Sequence, residues 1–406
     1  MNILMVLEAP YPMDIRVNKQ AKALISAGHQ VYLLCTRRKG QPKSDKVDGI
    51  HIYRINVGQS DYVLAFWDVI NSINFYHPKF ARIIANLVKF HKIHVIHVHD
   101  LPLAGTALKL RKKLDVKVVV DLHENYPEAL KIWHQWKKNP IAQLKNKLFL
   151  NYQKWIKYER YAVTNSDLII SVVMEMQQRL TTLHKVSPDK IAIITNTEEK
   201  TFIKQPTNKG IYGRYKNDFI ITYTGGIGPH RGVDTLIEAM SMLKKYSDIV
   251  LFLAGQSSKS VRRHLQALIK KYSLVDRVFL LGYQPFLNFY SLMKFSSVNV
   301  IPHHSNEHTN NTIPHKLFQG MMSGNPLLVS TSSAIKRVVQ ETNSGLIFEA
   351  GDAIDLAGKL EELYQNESLR KQLAKNGITA TINGSYNWEH TSEELVKAYD
   401  NLACTI

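Results

Sequence analysis

A doubly wound α/β fold in two domains is predicted by three observations. Apolar runs of strand length alternate with helical-period segments almost throughout, the pattern of parallel sheets. At 406 residues the chain exceeds what one ordinary core encloses. The alternation lapses once, around Asn196–Lys216, where polar residues, Pro206, Gly210 and Gly213 accumulate and a linker is expected.

In the first half the strand candidates are Ile3–Leu7, Val31–Thr36, Ile50–Ile55, His94–Val98, Val116–Asp121, Leu168–Val172 and Ile191–Ile194. Between the first two, Val17, Ala21, Leu24 and Ile25 form a helical stripe that Gly28 ends as a left-handed cap, giving a β-α-β unit. The second half repeats the pattern with Phe219–Thr224, Ile249–Ala254, Val278–Leu281, Val298–Ile301, Leu327–Val329 and Leu346–Phe348. Its last stretch is helical, over Asp352–Tyr364, Leu369–Lys375 and Glu393–Leu402. The domains expected are 1–200 and 201–384, with a C-terminal helix at 385–406 joining the first.

Composition narrows the class. The chain begins on a strand-like run with no basic lead or long apolar stretch, and runs such as Tyr62–Trp67 fall short of a spanning helix, so neither export nor membrane crossing is expected. Cys35 and Cys404 form no disulfide framework or metal knuckle, which fits a reducing cytoplasm. The net charge is +18, with 30 Lys/Arg against 17 Asp/Glu in residues 1–200 and 22 against 17 in the remainder. Such a surface favours nucleic acid, phosphorylated substrates or an anionic membrane leaflet, and charge alone does not choose among them.

The densest chemistry follows the strand ending at Ile301. Asn311 to Pro326 reads as loop, helix, stop and strand, with Pro314 in the first helical turn and Leu317, Phe318, Met321 and Met322 on one buried face. Backbone N–H groups near 314–317 would then face the carboxyl end of the sheet, where α/β proteins bind anions. Gln319, one turn on, could bond a hydroxyl pair such as a ribose. An ordinary amphipathic helix reads the same way until a second element is added. Gly225 to Gly232 supplies it: two glycines let backbone approach a ligand, and Arg231 brings a fixed charge for a diphosphate. Arg231 stands where a dinucleotide fingerprint needs its third glycine, and no P-loop occurs, so nicotinamide and P-loop ATP chemistry are disfavoured.

Together these residues resemble family 4 of the retaining glycosyltransferases, the group 1 glycosyltransferases. The likeness runs nearly end to end: Asp14-Ile15-Arg16-Val17, Ala27-Gly28-His29-Gln30-Val31, Asp121-Leu122-His123-Glu124, Gly225 to Gly232, Ala254-Gly255, Leu281-Gly282-Tyr283 and Pro314-His315-Lys316-Leu317-Phe318-Gln319. The resemblance implies a GT-B fold, two facing Rossmann-like domains with a cleft and active site between them. It also implies that Arg231 and Lys316 neutralise a donor diphosphate and that the backbone of His315–Leu317 cradles it. Gln319 takes the ribose, Tyr283 stands beside the nucleobase and His123 reaches the transferred sugar. Gly225, Gly226, Gln256, Asn311, Thr312 and Pro314 line the donor pocket, while Asp14, Arg16 and Glu124 lie on the acceptor side. Two departures stand out. The family's paired acids are Asn311 and Gln319 here, and the arginine that follows the glycine of the phosphate loop is absent. With a neutral Gln319 bonding ribose, Gln319→Glu is expected to keep nucleotide binding better than Gln319→Ala.

Other constellations carry alternatives. His94, His97, His99 and Asp100 cluster at a strand end, but without a third ligand at compatible spacing a strand edge entering the cleft is expected, not a metal site. His303, His304, His308 and His315 fall on the donor loop, in a solvated or substrate-contacting role. Lys131–Arg160 holds eight Lys/Arg, one acid and Trp133, Trp136 and Trp155, with Phe149, Tyr152 and Tyr158. It reads as a helix at an anionic membrane surface, as a single-strand nucleic-acid binder, or as a helical pair docked on the first sheet with solvated lysines.

The expected function is retaining, metal-independent transfer of a sugar from a nucleotide-diphosphate carrier to a glycan acceptor in surface-polysaccharide assembly. A lipid-linked acceptor would place it at the inner face of the cell membrane. No cofactor, metal or nucleic-acid partner is expected. The rivals are a nucleotide-sugar epimerase, for which Glu124 and Glu307 are the available acids, and a non-enzymic basic nucleic-acid or membrane binder.

Overall fold

The computed structural model describes residues 1–12, 14–58, 60–135 and 151–406, which divide into two compact units. Residues 1–195 with 392–406 form the first, and residues 196–391 the second.

The first unit is built on eight strands: β1 (Asn2–Pro10), β2 (Gln30–Thr36), β3 (Ser44–Val47), β4 (Ile50–Ile55), β5 (Val95–His99), β6 (Lys117–Leu122), β7 (Leu168–Ser171) and β8 (Ile191–Ile193). Their order is β3-β4-β2-β1-β5-β6-β7-β8, parallel except for β3, which pairs antiparallel with β4. Ile3 to Val6 of β1 are wholly buried, as an apolar run in the centre of a parallel sheet must be. β3 escapes a reading by apolar runs because Ser-Asp-Lys-Val is polar and lies on the edge, where charge discourages further pairing. Helix Ile15–Ser26 joins β1 to β2; Asp14 caps it by accepting from the Arg16 N–H at 3.0 Å.

The second unit holds β9 (Phe219–Thr224), β10 (Ile249–Ala254), β11 (Val278–Gly282), β12 (Val298–Ile301), β13 (Leu327–Ser330) and β14 (Gly345–Phe348), in the all-parallel order β11-β10-β9-β12-β13-β14. Its main core packs alternate side chains of these strands, Ile221 and Tyr223, Leu251 and Leu253, against Leu236, Ile237 and Met240 of helix Val233–Met242 and Leu356 and Leu360 of helix Ala353–Gln365. The segment 196–216 is no bare spacer. Phe202 and Tyr212 are buried in the second unit, and Tyr212 Oη is within bonding distance of Thr222 Oγ1 at 2.6 Å. Its periodicity fades because its local structure is short 3₁₀ turns, at Lys200–Lys204 and Gly213–Tyr215.

Each sheet has a topological switch point, where the strands on either side connect in opposite directions. In the first it lies between β1 and β5, in the second between β9 and β12. Crevices at the carboxyl ends of such neighbours are where α/β sheets take ligands. Beside the second, Gly232, at φ +63°, approaches so closely that a Cβ would stand 1.6 Å from the Pro302 carbonyl oxygen that follows β12. Gly232→Ala is therefore expected to cost roughly 2–4 kcal/mol in urea unfolding, since backbone and not a flexible side chain must give way.

Candidate active site

Four elements supply the second switch point. The loop after β9 presents Gly225 and Gly226, the short turn Pro229–Arg231 presents His230 and Arg231, the strand end after β12 presents His303, and helix His315–Met322 presents Lys316. The loops are knitted together: Gly225 N–H donates to the Ala254 carbonyl at 2.9 Å and Ile227 N–H to the Gln256 carbonyl at 2.9 Å. A Cβ on Gly255 would lie 1.8 Å from the Gly225 carbonyl oxygen, so only glycine allows this approach.

Lys316 is the unusual group. Part of the residue reaches the surface, yet its ammonium is inaccessible and has no hydrogen-bond partner. Nζ sits 3.7 Å from the Tyr223 ring centroid and 3.3 Å from where a Cβ on Gly225 would be. Burial first, and the Arg231 charge second, press its pKa well below the ordinary lysine value. Arg231 Nη1 donates to His303 Nε2 at 3.0 Å, which requires that imidazole nitrogen to be unprotonated. Burial, with Arg231 and Lys316 after it, holds the His303 pKa far down, and burial with Arg231 takes that of His230 to about 2. The histidines thus stay neutral and add no further repulsion. A buried amine without a hydrogen-bond partner, pressed by the Arg231 charge, costs free energy that an anion would return.

Pro314 caps the helix instead of entering its first turn, and the Leu317 N–H donates to the Pro314 carbonyl at 3.1 Å. That engages one of the N–H groups near 314–317, and the Leu317 side chain is core. Thr312 is extended and half-buried, His315 opens the helix, and the Tyr283 ring is exposed after β11. Gln256 lends its carbonyl to Ile227 and exposes its side chain.

Both amides at the ends of the departed acid motif stand beside carboxylates from elsewhere. Gln319 Nε2 donates to Glu198 Oε2 at 2.6 Å, both residues being buried. Asn311 Nδ2 donates to the Glu307 carbonyl at 2.7 Å and lies 3.5 Å from its carboxylate. Acidic groups therefore remain at these positions although the helix has lost them. The ordering expected for the Gln319 variants is overturned: Gln319→Glu would set a second carboxylate against Glu198. Glu198 sits in the aperiodic segment where pattern offers no signal, and His303 was visible only as one of several loop histidines.

In the first unit a buried hub forms on Asp121, at the end of β6. Its Oδ2 accepts from Gln20 Nε2 at 2.9 Å and lies 2.7 Å from His123 Nε2 and 3.2 Å from His99 Nδ1. His97 Nε2 stands 3.4 Å away, and its Nδ1 is 2.7 Å from Tyr399 Oη. Asp121 is the third member that spacing within one strand does not show: the ligand atoms of His97, His99 and Asp121 lie within 4.8 Å of one another. Bonds from His99 and His123 to a carboxylate need N–H groups turned toward it, which makes the arrangement a hydrogen-bonded hub.

Burial raises the Asp121 pKa, but the His123 charge, the bonds from His123 and His99, and His97 close by outweigh it and hold the carboxyl well below its usual range. For His123, burial and Arg16 press downward, and Asp121 with Asp100 more than restores it, a net rise. The Asp121 contribution to stability is complete above about pH 4 and is lost as pH falls through its folded value; that of His123 is complete below about pH 6.5 and is lost as pH rises through its folded value. Asp121→Asn is expected to cost about 3–5 kcal/mol between those limits in denaturant titrations, and to flatten the pH profile. Beside the hub, Arg16 grips Asp14 through two side-chain bonds at 3.0 and 2.7 Å, and Glu124 follows His123 at a half-buried position.

Lys131–Arg160 divides. Residues 136–150, with Trp136 and Phe149, lie outside the described residues, as does the side chain of Trp133. In helix Tyr152–Asn165, Trp155 and Tyr158 are core residues; Tyr158 stacks on Phe75 at 3.6 Å, and its hydroxyl accepts from the Gly105 N–H at 2.6 Å. The buried Glu159 accepts from Arg179 at 3.0 Å and lies 2.7 Å from His184 Nε2. These rings therefore pack on the first unit instead of facing a membrane, and Lys157 and Arg160 are the exposed cations that remain on this helix.

With this geometry in hand, comparison with known proteins is decisive about class. Residues 15–197 match the family described as Glycosyltransferase Family 4, and residues 204–380 that described as Glycosyl transferases group 1. The chain belongs to the group 1 glycosyltransferases. It is 26% identical over 319 residues to an uncharacterized glycosyltransferase of Methanocaldococcus jannaschii, covering 78% of each chain. Among solved structures it resembles a sucrose-phosphate synthase from Thermosynechococcus elongatus, at a TM-score of 0.80 and 17% identity over the whole of both chains. It also resembles the Anabaena protein HepE in complex with UDP-glucose, at 0.73 and 12% identity over 99% of this chain and 100% of that one. The fold is GT-B, with two parallel-sheet Rossmann-like domains.

Proposed function

We propose that this glycosyltransferase transfers a sugar, with retention of configuration and without a metal ion, from a nucleoside diphosphate sugar to a glycan acceptor of surface-polysaccharide assembly. The observation that carries the reading is the buried Lys316 amine, without a hydrogen-bond partner and pressed by the Arg231 charge, at the β9/β12 switch point. A diphosphate supplies the negative charge that these two groups lack, and its charge grows as the sugar–oxygen bond breaks, so the same contacts favour the transition state over the bound donor. The UDP-glucose complex of HepE supports a nucleotide sugar as the ligand.

In this reading the bond from the anomeric carbon to the diphosphate breaks while the acceptor hydroxyl attacks the same face. Its proton passes to the departing diphosphate oxygen, and no enzymic nucleophile is needed. Gln319, held by Glu198, orients the ribose. His123, held by Asp121, serves the transferred sugar, and Asp14, Arg16 and Glu124 serve the acceptor. The acceptor is lipid-linked, and the enzyme meets it at the inner membrane face through exposed cations such as Lys157 and Arg160.

A thermal-shift series against UDP-, GDP-, ADP- and CMP-linked sugars, with and without chelator, tests the reading. Stabilisation is expected from at least one diphosphate-linked sugar, with chelator making no difference, and less from the CMP-linked sugar, which carries one phosphate. No stabilisation by any of them overturns the donor site, and stabilisation abolished by chelator overturns metal independence.

A further inference from the structure

The first unit has its own cavity, of about 920 Å³, at the β1/β5 switch point. Glu8 to Pro10 at the end of β1 and His99 and Asp100 at the end of β5 form part of its wall, and Arg37, Arg38 and Lys39 enter it from the end of β2. Its other charges are engaged. Arg16 is bound by Asp14 at 2.7 Å, Asp100 stands 3.6 Å from His123, and Glu8 has contacts of its own. Nearby cations outside the cavity are also paired, Lys22 with Asp48 at 2.8 Å and Arg54 with Asp45 at 3.6 Å.

The triplet differs. Among the described residues Arg37, Arg38 and Lys39 form no ion pair. The loop is braced at Arg37 and at the Arg38 backbone, while the Arg38 and Lys39 side chains are exposed: the Gln41 carbonyl accepts from Arg37 Nε at 2.8 Å, its Oε1 from the Arg38 N–H at 2.9 Å, and its own amide donates to the Tyr11 carbonyl at 3.0 Å. A loop braced in this way, lining a cavity roomy enough for a sugar with three adjacent cations free of ion pairs, is suited to one anionic group, with guanidinium forks matching its oxygens. The wall also includes His99, whose buried Nε2 has no hydrogen-bond partner.

We propose that this cavity seats the acceptor, and that the acceptor carries a phosphate or carboxylate gripped by Arg37, Arg38 and Lys39. The proposal rests on the transferase reading and names the substrate class for its other half. Neutral saccharides would leave three unpaired cations around them, so the site discriminates by charge.

Binding of glucose, glucose 6-phosphate and glucuronate to the protein tests this, alongside whichever nucleotide sugar stabilises the wild type. Both anionic probes are expected to bind more tightly than glucose, and Arg38→Ala with Lys39→Ala to weaken them at least about tenfold. Lys112→Ala with Lys113→Ala, an equal loss of charge at an exposed helix end, should leave them unchanged, and nucleotide-sugar binding should persist in both variants as the check on folding. Competition by phosphatidylglycerol but not phosphatidylcholine vesicles assigns the anionic group to a lipid; its absence assigns it to a soluble acceptor. Equal affinity for glucose and the anionic probes, or equal loss in the two double variants, overturns the proposal. Loss of nucleotide-sugar binding in the wild type, with the anionic preference intact, would instead defeat the transferase reading alone.

Discussion

Lys316→Met is expected to make the free protein more stable and to remove its response to nucleotide sugars. The ammonium is buried without a hydrogen bond, beside Arg231 and over the Tyr223 ring. Methionine replaces it with an apolar chain of similar reach, and exchanging buried ionic groups for apolar ones is commonly stabilising by about 1–4 kcal/mol. Because folding depresses the Lys316 pKa, the wild type should gain stability as pH rises toward about 10.5, where the unfolded chain also gives up its proton. The variant should lack that part of the rise. Donor affinity moves the other way. Removing one side of a buried, charge-assisted contact with the diphosphate costs about 2–5 kcal/mol, or roughly 30-fold or more in dissociation constant. A residue kept for packing would give the opposite pattern, with stability lost and binding spared.

At Gln319, glutamate should be the worse replacement and alanine the milder one. Glu198 Oε2 stands 2.6 Å from the Gln319 amide, so Gln319→Glu places two carboxyl groups where they cannot both ionise. The pair then titrates as a unit, one member taking a proton well above the usual carboxylate range. A loss of about 2–4 kcal/mol is expected at pH 8, shrinking toward pH 5 as the shared proton binds. The exchange Gln319→Glu with Glu198→Gln restores one amide and one acid and should recover most stability and donor affinity, a coupling read from a double-mutant cycle. Simple addition of the two single effects would mean that the pair does not act as a unit.

Much of this was legible in the sequence, for reasons that also mark where legibility stops. Parallel strands buried on both faces must be apolar runs, so thirteen of the strands stood out, while the polar edge strand Ser44–Val47 did not. Gly232 and Gly255 were visible as punctuation, but what forces them, the carbonyls of Pro302 and Gly225, is set by contacts distant in the chain. Arg231 and Lys316 were found through loop and helix motifs. Their electrostatic condition was not, since it depends on Tyr223, His303 and burial. The acids missing from Asn311 and Gln319 had partners at Glu307 and Glu198, and the latter lies 121 residues before Gln319. Likewise Asp121 completes the hub of His97, His99 and His123 only through the pairing of β5 with β6. The aromatic helix Tyr152–Asn165 shows the reverse hazard: composition suggested a surface, and helical spacing had turned Trp155 and Tyr158 inward.

Calorimetric titration with the stabilising nucleotide sugar, in chelator and in two buffers of different ionisation enthalpy, tests the central claim most directly. Since burial holds the Lys316 pKa down in the free protein and a bound diphosphate would raise it, the account predicts one saturable site, lost in Lys316→Met, at which any proton exchange on occupation is uptake and not release. Binding retained by Lys316→Met, or proton release on binding, would contradict it.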